Sequence, residues 1–122
     1  MGTRVLAATP NNKNVRSYAH CAADSSGDVV LVLENLSDDQ TLHLSLDLAG
    51  SGSVSGRTEY HATGPKGMLS LDIAINDTPL ALNKDGTVPE IEGKKMGGSD
   101  PLVLTPASWA FVQLHGTKAQ GC

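Results

Sequence analysis

The chain is poor in aromatic residues and in cysteine, and it has no long apolar run. Aromatic residues make up 3% of its 122 residues, and its formal net charge is −4. No apolar run approaches the roughly 18 residues of a transmembrane helix, and the N-terminus lacks the basic and apolar regions of a signal peptide. The nine basic residues are scattered, and Lys94-Lys95 is their one adjacent pair. This distribution argues against nucleic-acid or membrane-surface binding, which needs a clustered basic face.

Length and composition predict a single domain over residues 1–122. The hydrophobic content is 39%, and a chain of this size buries roughly two thirds of the surface that it exposes when unfolded. There is no internal repeat and no low-complexity tract, so a second domain is not expected.

The only two cysteines are Cys21 and Cys122, the last residue. A disulfide between them would close a loop of 101 residues (122 − 21 = 101) and would contribute roughly 4 to 5 kcal/mol to stability in the chain-entropy description. Such a bond is typical of a secreted domain, whereas the alternative is two free thiols in a cytosolic protein. Zinc binding is disfavoured because no C-x-x-C pair is present. If the bond forms, we expect the chain to be the C-terminal part of a longer secreted precursor.

Short apolar segments separated by turn residues predict β-strands, at 5–9, 15–20, 29–33, 57–63 and 108–114. Residues 29–33 form a continuous apolar run that suits a strand buried on both faces. Residues 49–56 are rich in Gly and Ser and predict a loop. The stretch after Asp77 is punctuated by Pro and Gly, which predicts a loop with edge strands at best.

Two further segments alternate apolar and polar residues, as half-buried strands do. In the segment 42–48 we expect Leu42, Leu44, Leu46 and Leu48 to face the core. In the segment 69–76 we expect Leu69, Leu71, Ile73 and Ile75 to do so. No stretch of eleven or more residues keeps a helical period. The sequence therefore predicts an all-β fold, an antiparallel β-sandwich of seven or eight short strands tied by one disulfide.

The residues that could support catalysis form no recognisable signature. A glycosidase needs two carboxylates about 5 to 10 Å apart in a cleft, and solvated loop charges explain Glu90 and Glu92 better. Asp24 and Asp28 lack the distal Glu of an EF-hand, so a hairpin turn explains them better than calcium. Of the remaining candidates, His20, His43 and His61 are expected to be solvated or hydrogen-bonded. The others, Glu34, Glu59 and His115, sit in no recognisable catalytic signature.

Aromatic stacking platforms and glycan acceptors are the other candidate features. The four aromatic residues fall in predicted strands, so core packing explains most of them better than sugar stacking. Two N-glycosylation triplets begin at Asn35 and Asn76, each at the end of a predicted strand. The aromatic residues are Tyr18, Tyr60, Trp109 and Phe111.

Several motifs in one order resemble the C-terminal region of heparanase. The match begins with Gly2-Thr3-Arg4-Val5-Leu6 and continues with Val15-Arg16-Ser17-Tyr18-Ala19-His20-Cys21 and Glu34-Asn35-Leu36. Tyr60-His61-Ala62-Thr63-Gly64-Pro65-Lys66-Gly67-Met68-Leu69-Ser70 is similar to that family's Gly-Pro-x-Gly-Leu-Leu-Ser type segment. Ile75-Asn76, Asp85-Gly86-Thr87-Val88-Pro89, the segment Pro106-Ala107-Ser108-Trp109-Ala110-Phe111-Val112 and the terminal Cys122 complete the resemblance.

This resemblance implies the C-terminal β-sandwich of a heparanase-like β-glucuronidase of glycoside hydrolase family 79, packed beside a catalytic (β/α)₈ barrel. It implies a bridge between Cys21 and Cys122, a secreted or lysosomal location, and no cofactor or metal. The two catalytic glutamates of the family lie in the barrel, and no position here matches them. The chain alone is therefore expected to be non-catalytic and to support the barrel. The resemblance does not decide whether the barrel acts on heparan sulfate or on another glucuronide. In the family one sandwich strand can come from the N-terminal part of the precursor, so an unpaired edge is expected.

Two other functions stay open at the level of sequence. A free-standing secreted module that binds sugars or a protein predicts an exposed aromatic or apolar patch of more than a few hundred Å². The other is a piece of an active enzyme that contributes a residue to the cleft of the barrel. The candidate loop to approach the barrel consists of Thr63, Gly64, Pro65, Lys66 and Gly67.

Overall fold

The computed structural model describes residues 1–24, 26–48, 53–67 and 69–122. Over these ranges the chain forms ten strands and no helix. The described residues therefore include no helix long and apolar enough to cross a membrane. The strands are β1 (Val5–Leu6), β2 (Val15–Cys21), β3 (Val29–Asn35), β4 (Leu42–Leu44), β5 (Gly56–Thr63), β6 (Ala74–Ile75), β7 (Thr78–Pro79), β8 (Lys94–Gly97), β9 (Leu102–Leu104) and β10 (Ser108–His115).

The strands form two antiparallel sheets. The large sheet has the order β1-β2-β3-β10-β5-β6-β7, and β8 pairs with β5 along the same edge as β6. The small sheet consists of β4 and β9. The predicted all-β antiparallel sandwich is confirmed.

The core lies between the small sheet and the middle of the large one. The inward side chains of β10, which are Ala110, Val112 and Leu114, are completely buried. They pack with β3 and with Leu102 and Leu104 of β9, which are 1% and 0% exposed. Close packing of this kind excludes water from both sheets at once and supplies most of the driving force for folding.

Several predicted strands have the expected place and slightly different bounds. The segments predicted at 15–20, 29–33, 57–63 and 108–114 correspond to β2, β3, β5 and β10, each one or two residues longer. The first predicted strand shortens to Val5–Leu6. In the segment 42–48 only Leu42–Leu44 pairs as a strand, although every second residue remains more buried up to Leu48. Of the predicted loop 49–56, residues 49–52 lie outside the described residues.

The prediction for residues 69–76 was wrong. Leu69 and Leu71 are 94% and 99% exposed and Ile73 is 42% exposed, so they form no inward set. Only Ala74–Ile75 pairs with the edge of β5, and Ala74 is the buried residue there. Residues 69–73 form a turn and an irregular segment and no strand. The described small sheet does not reach over this edge, so the leucines have no layer to pack against.

Core packing was the wrong interpretation for two of the four aromatic residues. Tyr18 and Trp109 are 51% and 43% exposed on the outer face of the large sheet. Phe111 and Tyr60 lie opposite each other on that same face and are half-buried. On β10 the smaller Ala, Val and Leu side chains occupy the inner face instead, because the facing leucines of β9 leave little room for rings.

The predicted disulfide is present between Cys21 and Cys122, whose Cα atoms are 5.4 Å apart. A backbone hydrogen bond from Ala119 N to Gly27 O at 2.9 Å holds the same tail. A side-chain hydrogen bond from the Arg4 guanidinium to Gly121 O does so as well. The C-terminal residues are therefore fixed against β2 and the turn before β3.

Candidate functional site

The inner face of β5 carries the main cluster of charged side chains in the described core. Every second side chain of a strand points to the same face. On this face of β5 the charged or titratable residues are Arg57, Glu59 and His61. Across the sheet they stand opposite the buried apolar residues of β10. The sequence pattern contained this alternation, but it did not show that the face was the inner one.

A hydrogen-bonded ion pair forms the centre of this cluster. Glu59 is 4% exposed, and its Oε1 accepts from Arg57 Nε while its Oε2 bonds His61 Nε2 at 2.7 Å. Arg57, which is 2% exposed, donates from its terminal nitrogens to Gly97 O at 3.0 Å and Pro101 O at 2.9 Å. Since every buried charge has partners, the cluster ties β5 to the connection between β8 and β9.

A groove of about 810 Å³ runs over this cluster, between β5 and the outer edge of β9. Its walls carry charges of both signs, including Lys94, Glu92 and Asp77. Both oxygens of Glu59 are already engaged beneath this groove, one by Arg57 and one by His61. The groove has the composition of a polar binding or packing surface.

The other three histidines are hydrogen-bonded or solvated, as expected for His20 and His43. His115 bonds Asp28 through Nδ1 at 3.1 Å and Thr58 through Nε2 at 2.9 Å. His20 Nδ1 lies 3.2 Å from Gly2 O, and His43 is exposed on the polar face of β4. Each of these histidines therefore has hydrogen-bond partners of its own or faces solvent, and the three do not converge on a common site.

Asp24 and Asp28 lie in the connection between β2 and β3, and Ser25 lies outside the described residues. Hydrogen bonds from the Ser26 side chain and backbone lower the pKa of the Asp24 carboxyl below its usual value. Asp28 instead accepts from Gly116 N at 2.9 Å and contacts His115. Over the described residues no group of three or more His, Cys, Asp or Glu could hold a metal ion.

Both asparagines of the glycosylation triplets are tied into the fold. Asn35 is 2% exposed, and its amide nitrogen donates to Gln40 O at 2.7 Å and Thr105 O at 2.9 Å. Asn76 donates to Glu59 O at 3.0 Å and accepts from His61 N at 2.9 Å. Attachment of a glycan stays a prediction, and in the folded chain it would compete with these bonds.

The candidate barrel-facing loop begins where β5 ends at Thr63. Gly67 N donates to Gly64 O at 2.9 Å and closes a tight turn, in which a side chain at Gly64 would collide with Gly67 O. Pro65 and Lys66 are exposed, and Lys66 pairs with Asp72 at 3.3 Å. The loop therefore projects from the sheet edge, next to the exposed leucines that follow it.

Sequence comparison identifies several known proteins that are similar to this chain. The chain is 36% identical to baicalin-β-D-glucuronidase of Scutellaria baicalensis over 95% of its own length and 22% of that protein. It is 29% identical to heparanase-like protein 3 of Arabidopsis thaliana, over 100% of this chain and 27% of that protein. It is 25% identical to mouse heparanase, over 100% of this chain and 24% of that protein. The chain thus spans about a quarter of the length of these relatives. No protein-family model matches the chain.

Comparison with solved structures supports the fold alone. The crystal structure of BuGH86wt in complex with neoagarooctaose aligns with 85% of this chain and 14% of that chain, with a TM-score of 0.50 and 14% sequence identity. The sequence matches carry the relationship, and they confirm the resemblance drawn from the motifs. The chain is a heparanase-like β-sandwich, related over nearly all its length to a domain-sized part of the heparanases and heparanase-like β-glucuronidases.

Proposed function

We propose that the chain is the non-catalytic C-terminal β-sandwich of a larger heparanase-like β-glucuronidase. In this role it packs on a (β/α)₈ barrel that hydrolyses glucuronide-containing glycans, and it supports the folding of that barrel. The observation that carries the proposal is the 36% identity to a β-glucuronidase over 95% of this chain and only 22% of the enzyme. A single domain that matches a small share of an enzyme is well suited to an accessory role.

The environment of the carboxylates supports a non-catalytic role. A retaining glycosidase places an acid/base and a nucleophile about 5 Å apart across the scissile bond. Here Glu59 is buried and fully bonded to Arg57 and His61, while Glu90 and Glu92 are exposed on the segment before β8. None of the three has the environment of a catalytic carboxylate.

A secreted or lysosomal location belongs to the same proposal. Disulfides persist in oxidising compartments and are rare in the cytosol, and the bond between Cys21 and Cys122 links β2 to the end of the chain. The bond is compatible with passage through a secretory pathway.

The test is an assay of the purified 122-residue chain with an aryl β-glucuronide. We expect no turnover above the rate in buffer. The matched control is Glu59→Gln, which removes the only buried glutamate of the described residues. Turnover by the parent chain above the rate in buffer would overturn the accessory role, and its loss in a Glu59→Gln chain shown to be folded would assign it to the buried carboxylate.

A second candidate function, a free-standing sugar-binding module, is favoured by the exposure of Tyr18 and Trp109. The rings of Trp109 and Phe111 lie 5.7 Å apart at an interplanar angle of 50°. Tilted rings do not make the flat platform on which successive sugars stack. Binding to a glycan array that Trp109→Ala abolishes would support this candidate, and silence of the array would count against it.

A further inference from the structure

An unusual number of aliphatic side chains is exposed on one segment of the chain, between residues 69 and 91. Two of them, Leu69 and Leu71, are 94% and 99% exposed, which leaves them almost entirely in water. We call these side chains the 69–91 surface. Its members are Leu69, Leu71, Ile73, Leu80, Leu82, Val88 and Ile91, each at least 39% exposed.

The 69–91 surface lies at the free edge of the large sheet. Strands β6 and β7 form a short hairpin there, extended by a hydrogen bond from Leu80 N to Ile73 O at 2.8 Å. A hollow of about 420 Å³ opens beside the hairpin, and Ile75, Pro79, Leu80 and Ile91 contribute its apolar walls. Local hydrogen bonds therefore hold the backbone in place, although the side chains have no apolar partner layer among the described residues.

Exposure on this scale is not expected of a surface that faces water permanently. Isolated exposed leucines are common, but contiguous apolar patches on soluble monomers are small and usually functional. Polar groups lie beside and between these side chains along the segment, among them the exposed ion pair between Lys66 and Asp72 and the turn at Asn83 to Thr87. Protein interfaces combine apolar and polar contacts in the same way.

The chemistry of the surface distinguishes between possible occupants. All seven side chains are aliphatic, whereas sugar binding relies on aromatic rings. The relatives also contain about three quarters of their length outside the matched part, so in such proteins much polypeptide is available to cover it. Both observations favour a protein surface in the same larger chain over a glycan.

We infer that the 69–91 surface is the docking face of this domain, and that it packs against the remaining, larger part of a heparanase-like chain. The inference rests on the proposed function and deepens it, because it assigns which face makes the contact. Leu69 and Leu71 are expected to contribute most to the contact, since they have the largest exposed fractions and so the most apolar surface to bury on docking.

The experiment uses a chimaera in which this chain replaces the matching part of the Scutellaria baicalin-β-D-glucuronidase. Three versions are compared: the parent chain, the double variant Leu69→Ser/Leu71→Ser, and the control Val5→Ser/Leu36→Ser. The control residues are also aliphatic, at 66% and 48% exposure, and lie outside the 69–91 surface. Secreted yield and glucuronidase activity of each chimaera are measured, together with the melting temperature of each isolated 122-residue chain.

We expect the 69–91 variant to lower the yield of active chimaera about tenfold or more, because two leucines lose their apolar contacts on docking. The melting temperature of the isolated chain should stay unchanged in both variants. Radical footprinting gives a second readout without mutation, in which Leu69 and Leu71 react in the isolated chain and are protected in the parent chimaera.

Each contrary outcome has a separate meaning. A parent chimaera that is active, with a 69–91 variant equal to the control and no protection of the leucines, overturns this inference and leaves the proposed function standing. A parent chimaera that neither folds nor acts overturns the proposed function and the inference with it. Concentration-dependent dimers of the isolated chain that the 69–91 variant abolishes, with an unaffected chimaera, would assign the surface to a second copy instead.

Discussion

A few buried polar residues hold β5 against the connection between β8 and β9. The Glu59 carboxylate bonds Arg57 and His61, and Arg57 in turn binds the carbonyls of Gly97 and Pro101. A buried ion pair contributes little net stability relative to apolar residues, but it becomes costly when one partner is removed. The cluster is therefore a sensitive point of the fold even if it has no catalytic role.

Glu59→Gln should lower the free energy of unfolding by about 3 to 5 kcal/mol, because Arg57 keeps its charge in a buried site without a counter-charge. Urea denaturation of the isolated chain measures the loss. The matched control is Glu90→Gln, an exposed position, where the change should stay within about 0.5 kcal/mol. Equal effects at the two positions would show that the ion pair has no special weight.

Asn35 is the second residue whose side chain is structural. It joins the end of β3 to the carbonyls of Gln40, Leu104 and Thr105, and its own oxygen accepts from Ser37 N at 3.0 Å. Asn35→Ala leaves these buried groups without partners and should cost about 2 to 4 kcal/mol. Thermal unfolding checks this, with the exposed Asn11→Ala as the control. A neutral Asn35→Ala would mean that water replaces the amide.

At the scale of elements, the middle of the fold could be predicted and its edge could not. β3 and β10 carry long β-branched and apolar runs whose bounds in the sequence nearly match the structure. Residues 69–73 show the same alternation, but alternation reports only which side chains share a face. Whether that face meets another layer depends on residues distant in sequence, and the described small sheet stops at β9.

The candidate site shows the same division. The regular spacing of Arg57, Glu59 and His61 could have been read as one face of a strand, yet charged residues normally predict an outer face. Only the pairing of β5 with β10 places them inside, opposite Leu114 and Val112. The pairing of Cys21 with Cys122, by contrast, was predictable because the chain offers only one possible pair.

Two leucines that differ fully in exposure should therefore differ in how much stability is lost on truncation to alanine. Leu104 is completely buried under β10. Leu104→Ala should therefore lower the free energy of unfolding by about 2 to 5 kcal/mol, because apolar burial is lost and a cavity remains. Leu71 is 99% exposed, so Leu71→Ala should change the stability of the isolated chain by less than about 0.5 kcal/mol. Chemical denaturation of both variants measures the difference. A large loss at Leu71 would mean that the segment packs against the sandwich in solution.

At the scale of the whole molecule, the disulfide links the end of the chain to its first long strand. Cys21 ends β2, and the segment from Gly116 to Cys122 passes along the turn at Gly27 before it reaches the bond. The bond closes a loop of 101 residues, so nearly the whole sandwich lies within the closed loop. Its effect should therefore be global, and it should not be confined to the C-terminal tail.

Removal of this bond by Cys122→Ser should lower the free energy of unfolding by about 2 to 5 kcal/mol, because the unfolded chain regains the entropy of an open loop. Cys21→Ser should cost the same or slightly more, since Cys21 is 6% exposed and packs beside the core. Each single variant already removes the same cross-link, so the Cys21→Ser/Cys122→Ser variant should be no less stable than Cys21→Ser alone. Urea denaturation of the three variants measures these values. Losses that add up in the double variant would show that the two side chains act through separate local packing, and that loop closure is not the main source of stability.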